Sequence, residues 1–158
     1  MKVTLANSAG FCFGVKRAVD IVYEESNQAQ HVYTYGPIIH NEDVVKDLNN
    51  KGVGVINSSE ELKGISEGTI IIRSHGVSKE MHEKMSNNGR KVLDATCPYV
   101  LKIHKVVAEQ SRQGRHIIVV GSPEHPEIQG IVGWSEGPVT VVKDEEEATK
   151  LVLPKNSK

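Results

Sequence analysis

Apolar residues recur along this chain with two alternating periods. Between residues 13 and 27 they fall at Val15, Ala18, Val19, Val22 and Tyr23, which share one face of a helix. Val32–Tyr35 follows as a short strand, broken by Gly36-Pro37. Helical spacing returns over Glu42–Asn50, with Val44, Val45 and Leu48 inward, and Val53–Ile56 and Thr69–Arg73 are apolar strands. Ser78 is placed to cap a helix that carries Met81 and Met85 one turn apart and that Asn88-Gly89 stops. Val3–Leu5 is a further strand candidate at the start.

The same order then returns. Val92–Asp94 is a strand, Cys97 follows it, and Pro98 suits the first turn of a helix whose buried stripe is Val100, Ile103 and Val107. Ile117–Val120 is a strand ended by Gly121 and Pro123. Pro126 opens another short helix, and Val139–Val142 is a strand. Strands alternating with helices at this spacing predict an α/β fold of repeated small βαβ units with mainly parallel sheets.

The repeat is numerical as well. Cys12 to His40 and Cys97 to His125 both span 28 residues, and the two cysteines are 85 apart. Each cysteine is expected to close a strand and open an apolar helix. Each of these histidines follows the next strand, near a proline. A duplication accounts for both offsets and for the matching element order. It predicts one unit over residues 1–96 and a second over 97–158. The strand at Thr69 begins 57 residues after Cys12, and the same count from Cys97 reaches Pro154, four residues before the last. The second unit is therefore expected to be truncated, without its own counterpart of Ser74-His75-Gly76.

Charge and composition narrow the function. Nineteen basic residues against 20 acidic ones lack the basic excess of a nucleic-acid binder. No apolar run approaches the roughly 18–20 residues needed to span a bilayer, and no secretory signal pattern follows Lys2. The expected location is the cytoplasm, where two cysteines serve as thiols or metal ligands more readily than as a structural disulfide. The simple nucleotide, zinc-protease and dithiol-exchange motifs are missing: there is no GxGxxG after a strand, no Walker loop, no HExxH and no CxxC.

What remains is a set of residues at one kind of position. In parallel α/β sheets the carboxyl edge of the strands is where ligands bind. Cys12 and Cys97 are each expected there, at a helix N-terminus that favours thiolate. They are two metal ligands or two buried free cysteines. His40, His75 and His125 lie just past strands, beside Pro or Gly, where an imidazole can donate to an anion. They form a shared site or are separately structural. His31, His82, His104 and His116 lie within or beside regular elements and read as surface or packing residues. Glu127 starts a helix, where a carboxylate either complements the dipole or passes protons. Lys16 and Arg17 read as surface charges whose place after Cys12 also helps hold a thiolate. Asp144–Glu147 reads as a solvated face or a helix start.

Five motifs in order carry a resemblance over essentially the whole chain. They are Gly10-Phe11-Cys12-Phe13-Gly14-Val15, Ile39-His40-Asn41, Ser74-His75-Gly76-Val77, Asp94-Ala95-Thr96-Cys97-Pro98 and His125-Pro126-Glu127. Together they resemble the LytB family of 4-hydroxy-3-methylbut-2-enyl diphosphate reductases. The resemblance implies three similar α/β units around a 4Fe–4S cluster, with one cysteine from each. Cys12 and Cys97 would be two of its ligands, His40, His75 and His125 the diphosphate-binding residues, and Glu127 the proton source. The implied reaction is a reductive dehydroxylation in the methylerythritol phosphate route to isoprenoids. A ferredoxin- or flavodoxin-type donor would supply the electrons.

Departures from the family pattern accompany the match. The third cluster cysteine has no counterpart in this sequence, and the first strand is expected to pair with a third unit. The 158 residues alone are accordingly expected to be inactive. Three other readings stay open on the residues alone: a non-enzymatic truncated α/β module, zinc held by Cys12, Cys97 and a histidine, or a regulatory disulfide between the cysteines.

Overall fold

The computed structural model describes residues 1–86 and 90–152. Its first half runs α1 (Phe13–Ser26), β1 (Val32–Tyr35), α2 (Glu42–Asn50), β2 (Val53–Ile56), α3 (Ser59–Lys63), β3 (Thr69–Ile72), α4 (Lys79–Ser86) and β4 (Lys91–Asp94). The second runs α5 (Pro98–Arg112), β5 (Ile117–Val120), α6 (Pro126–Val132), β6 (Val139–Val142) and α7 (Glu145–Thr149). None of these helices is long and apolar enough to cross a membrane. The proposed stop at Asn88-Gly89 and the count that ends on Pro154 lie outside the described residues.

Four strands form an all-parallel sheet in the order β2-β1-β3-β4. At its centre β3 is buried along its whole length, which is why Ile70-Ile71-Ile72 is a continuous apolar run. Successive side chains point to opposite faces. Ile71 packs with Ala18, Val22, Leu48 and Ala95 on the α1 and α2 side. Ile70 and Ile72 pack with Leu62, Val77 and Met85 on the α3 and α4 side. A half-buried ion pair pins the far end of α1: Glu25 is 5% exposed and accepts from the more exposed Lys91 Nζ at 2.6 Å and from Thr69 Oγ1 at 2.6 Å. Bonding to Lys91, then to Thr69, holds its carboxyl below the usual glutamate range against the opposing effect of burial.

The second unit repeats the first with an offset that hardly drifts. β5 begins 85 residues after β1, and β6 and α7 each begin 86 after β2 and α3. β5 and β6 are parallel, and Val107, Val119 and Ile131 form the core beside them. Where β1 has two strand neighbours, β5 has β6 alone among the described residues. Its Val120 is 73% exposed. On α5, Tyr99 and Ile103 are exposed, while the positions 85 residues earlier, Gly14 and Ala18, are buried. Ile103, expected in the buried stripe of α5, therefore lies outside it; the inward positions are Val100, His104, Val107, Ala108 and Ser111.

Two expectations need correction. Val3–Leu5 forms no strand; Val3 and Leu5 are 79% and 82% exposed. Consequently Cys12 opens a helix but closes no strand. An apolar tripeptide becomes a strand only beside a partner that takes its backbone hydrogen bonds, and none of the described residues offers one. The sequence reading also passed over α3, though its signal was present. Ser58 Oγ accepts from Glu61 N at 3.1 Å, and the Glu61 carboxylate reaches back to Asn57 N at 2.9 Å. Asp144 and Glu147 start α7 in the same way, as the helix-start reading expects.

Packing on both faces of β3 predicts that Ile71→Ala costs about 2–5 kcal/mol in urea denaturation. Val120→Thr, on the bare edge of β5, should shift stability by less than about 0.5 kcal/mol. Equal midpoints for the two variants would mean that β3 is not the sandwiched centre of the sheet.

Candidate anion and thiol site

Each of the three histidines sits in the loop at the carboxyl edge of a strand. His40 follows β1 and precedes Asn41, whose Oδ1 caps α2 by accepting Val44 N at 3.0 Å. His75 follows β3, between Ser74 and Gly76. His125 follows β5 and is itself the cap of α6. Their ring centroids stand 4.6 Å apart for His40 and His75, 5.7 Å for His40 and His125, and 5.6 Å for His75 and His125. One ring nitrogen from each lies within 4.8 Å of the others. The two units thus contribute to a single cluster.

Two observations define what that cluster can hold. His125 Nδ1 accepts the backbone N–H of Glu127 at 3.2 Å. In neutral imidazole the proton then resides on Nε2, which is left as a donor. A metal ion would need that nitrogen bare, whereas an oxyanion needs it protonated. Burial, then the charges of His40, Arg73 and His125, push the His75 pKa down to about 4. Its Nδ1 is buried without a partner among the described residues. An incoming anion offsets both the burial and the like-charge repulsion.

Cys12 and Cys97 are the caps of α1 and α5, and neither side chain accepts a capping hydrogen bond. Both are free thiols, Cys12 exposed and Cys97 half-buried. Cys97 approaches the first turn of α1 across a missing side chain. A Cβ built on Gly14 would collide with Cys97 Sγ, so the first turn of α1 receives the second cysteine only because residue 14 is glycine. Among the described residues, the one three-ligand set is His40, His75 and His125, which contains neither thiol.

One residue ties the thiol and imidazole regions together, and the sequence reading missed it as a contributor. Ser74 is 5% exposed. Its N–H and Oγ donate to Ile38 O at 3.2 and 3.0 Å, and its carbonyl accepts Cys97 N at 2.9 Å. It joins the His40 loop, the His75 turn and Cys97. Gly76 completes the turn with φ of 73°, where a Cβ would stand 2.7 Å from His104 Cε1. His104, expected to be a packing residue, is 2% exposed and stacks on Trp134. Glu127 lies in the first turn of α6, half-buried, with no hydrogen bond to its carboxylate among the described residues. Lys16 is an exposed charge paired with Asp20. Arg17 is not one, since its guanidinium is engaged across the fold.

Comparison with known proteins places this geometry. Residues 3–157 match the family model described as LytB protein. The chain is 46% identical over 153 residues to the 4-hydroxy-3-methylbut-2-enyl diphosphate reductase of Caldanaerobacter subterraneus subsp. tengcongensis, covering 96% of this chain and 53% of that protein. It is also 46% identical over 151 residues to the reductase of Geobacter sulfurreducens, covering 96% and 52%. A solved structure of (E)-4-hydroxy-3-methyl-but-2-enyl diphosphate reductase superposes with TM-score 0.77 at 44% identity, over 91% of this chain and 52% of that one. The reductase structure from Plasmodium falciparum superposes with TM-score 0.89 at 30% identity, over 96% and 48%. The chain spans about half the length of the curated relatives it matches.

The depressed His75 pKa has a definite sign. Unfolded, the imidazole titrates near 6.5; folded, near 4. Between those values the unfolded chain binds a proton that the folded chain refuses, so stability falls as pH drops through that window. Urea midpoints measured from pH 7 to pH 4 should therefore decline, and less steeply in His75→Gln. Parallel profiles would assign the decline to other groups.

Proposed function

This chain belongs to the LytB family, and from that premise we propose that the protein carrying it reduces 4-hydroxy-3-methylbut-2-enyl diphosphate. Two electrons and two protons would convert the allylic alcohol into isopentenyl and dimethylallyl diphosphates and water. The observation that carries the reading is the junction at Ser74, which hydrogen-bonds Cys97 and stands beside His75, one of three convergent imidazoles.

The residues present suit two parts of that chemistry. Cys12 and Cys97, uncapped at two helix N-termini, with Cys97 Sγ packed against Gly14 in the first turn of α1, fit two ligand positions of a 4Fe–4S cluster. A third thiolate has to come from outside these 158 residues, since the sequence holds two cysteines. When bound, the cluster would supply single electrons and Lewis acidity toward the substrate oxygen. The three imidazoles would hold the diphosphate. His125 donates from Nε2, and His75 gains a proton as the anion compensates its burial. That grip fixes the allyl group in place, so proximity contributes to the rate. Glu127, in the first turn of α6, would hand a proton to the departing hydroxyl. A ferredoxin- or flavodoxin-type protein fits the one-electron supply, and the reaction belongs to the methylerythritol phosphate route in the cytoplasm. Against this, the zinc reading needs a third ligand near the cysteines.

Anaerobic purification tests the metal. A brown protein with broad blue absorption supports the cluster, and a colourless one with stoichiometric zinc sinks it. Glu127→Gln should keep the cluster and bind substrate yet lose most turnover, about 10²-fold or more. A near-normal rate would remove Glu127 from the proton path. Calorimetry of diphosphate binding near pH 6 in two buffers of different ionisation heat should show net proton uptake. Equal heats in both buffers would mean that the imidazoles bind without protonation.

A further inference from the structure

We propose that Arg17 is a positioning residue that holds the Cys97 segment against the helix bearing Cys12, and so sets the separation of the two thiols. Arg17 lies in α1, five residues after Cys12. Its guanidinium crosses to the turn between β4 and α5, where Nη2 donates to Asp94 O at 3.1 Å and Nη1 to Thr96 O at 3.2 Å. The two carbonyls bracket Ala95, which is fully buried. Asp94 Oδ1 accepts Thr96 N at 2.8 Å and closes the turn from within. On its other side the turn is tied to β3, through Ala95 N to Ile72 O at 3.0 Å and Cys97 N to Ser74 O at 2.9 Å.

This arrangement divides the labour between the ends of α1. Glu25 and Lys91 join its last turns to the start of β4. Arg17 joins its early part to the end of β4, next to Cys97. Among the described residues its two bonds are the only side-chain hydrogen bonds from α1 to residues 94–97. The contact of Cys97 Sγ with Gly14 lies one turn before Arg17. A planar fork spans two carbonyls at once; an ammonium on a flexible stem holds one point. Removing the fork leaves both carbonyls without that donor and frees the turn to shift along α1. Arg17 acts through backbone, and no contact between its guanidinium and a sulfur enters the argument.

The inference rests on the reading of Cys12 and Cys97 as partners at one centre, and its test separates the two. In metal-free protein, with any cysteine outside residues 1–158 changed to serine, dibromobimane bridges two neighbouring thiols. Each thiolate displaces one bromide, and the bridged product fluoresces. Wild-type protein should bridge Cys12 and Cys97 readily. Arg17→Met should slow bridging about tenfold relative to single-thiol alkylation, with Arg17→Lys in between. Glu25→Gln, which loosens the far end of α1, should lower the unfolding midpoint and leave the bridging rate unchanged. The assignment is overturned if Arg17→Lys bridges at the wild-type rate, or if Glu25→Gln slows bridging as much as Arg17→Met. Should Arg17→Met fail to fold, the lysine variant alone decides. Iron and sulfide content after anaerobic reconstitution reads the other question. Arg17-dependent bridging in a wild-type protein that takes up no iron would leave this inference standing and defeat the cluster.

Discussion

Ser74 occupies the point on which the site depends. Its amide and hydroxyl both donate to Ile38 O, and its carbonyl accepts Cys97 N. Three segments far apart in sequence therefore share one buried residue at the end of β3. The reason lies in the sheet. A central parallel strand has neighbours on both sides, so its carboxyl end is flanked by the ends of β1 and β4. The loops leaving those ends must satisfy their backbone groups against one another, because water does not reach them. Each such bond also fixes a functional side chain, since His40, His75 and Cys97 follow within two residues of it.

The internal repeat shows what the central strand contributes. Both units have the helix, the strand after it and the next strand, at an offset of 85 or 86 residues. In the first unit β3 and β4 extend the sheet, and Ala18 is sealed beneath Ile71 in one core. In the second, the matching face of α5 presents Tyr99 and Ile103 to solvent, and β5 carries exposed Val120. The same architecture with two strands instead of four leaves apolar surface open. Sequence pattern alone builds the elements; burial requires the neighbours.

That distinction separates what the sequence could disclose from what it could not. Strands such as Val32–Tyr35 and Ile117–Val120 were legible to the residue, because their flanking Gly and Pro are local signals. The histidines were legible as a group, because the repeat put them on equivalent edges. Val3–Leu5 failed because strand formation is a property of pairs. The role of Arg17 was hidden for the same reason: its acceptors lie 77 and 79 residues away. No spacing rule connects a surface-patterned arginine to a distant carbonyl. Glycine at position 14 was visible within its motif, but its purpose, to admit Cys97 Sγ, required the second unit.

Electrostatics explains why imidazoles rather than lysines suit the anion site. Two unit charges 5 Å apart repel by about 3 kcal/mol at an effective dielectric of about 20. Three permanent cations at the spacings found here would repel one another throughout the life of the empty protein. Histidine avoids that cost, because with its pKa pushed down to about 4 His75 is neutral near pH 7 and still offers one N–H donor. On the proposed function, an arriving diphosphate would supply the negative charge that makes protonation of His75 favourable. Protonation of His75 would then accompany the anion instead of preceding it. The hydrogen bond from Glu127 N to His125 Nδ1 acts in the same direction. In the neutral ring it leaves the proton on Nε2, a donor that the proposed anion would meet before any charge has changed hands.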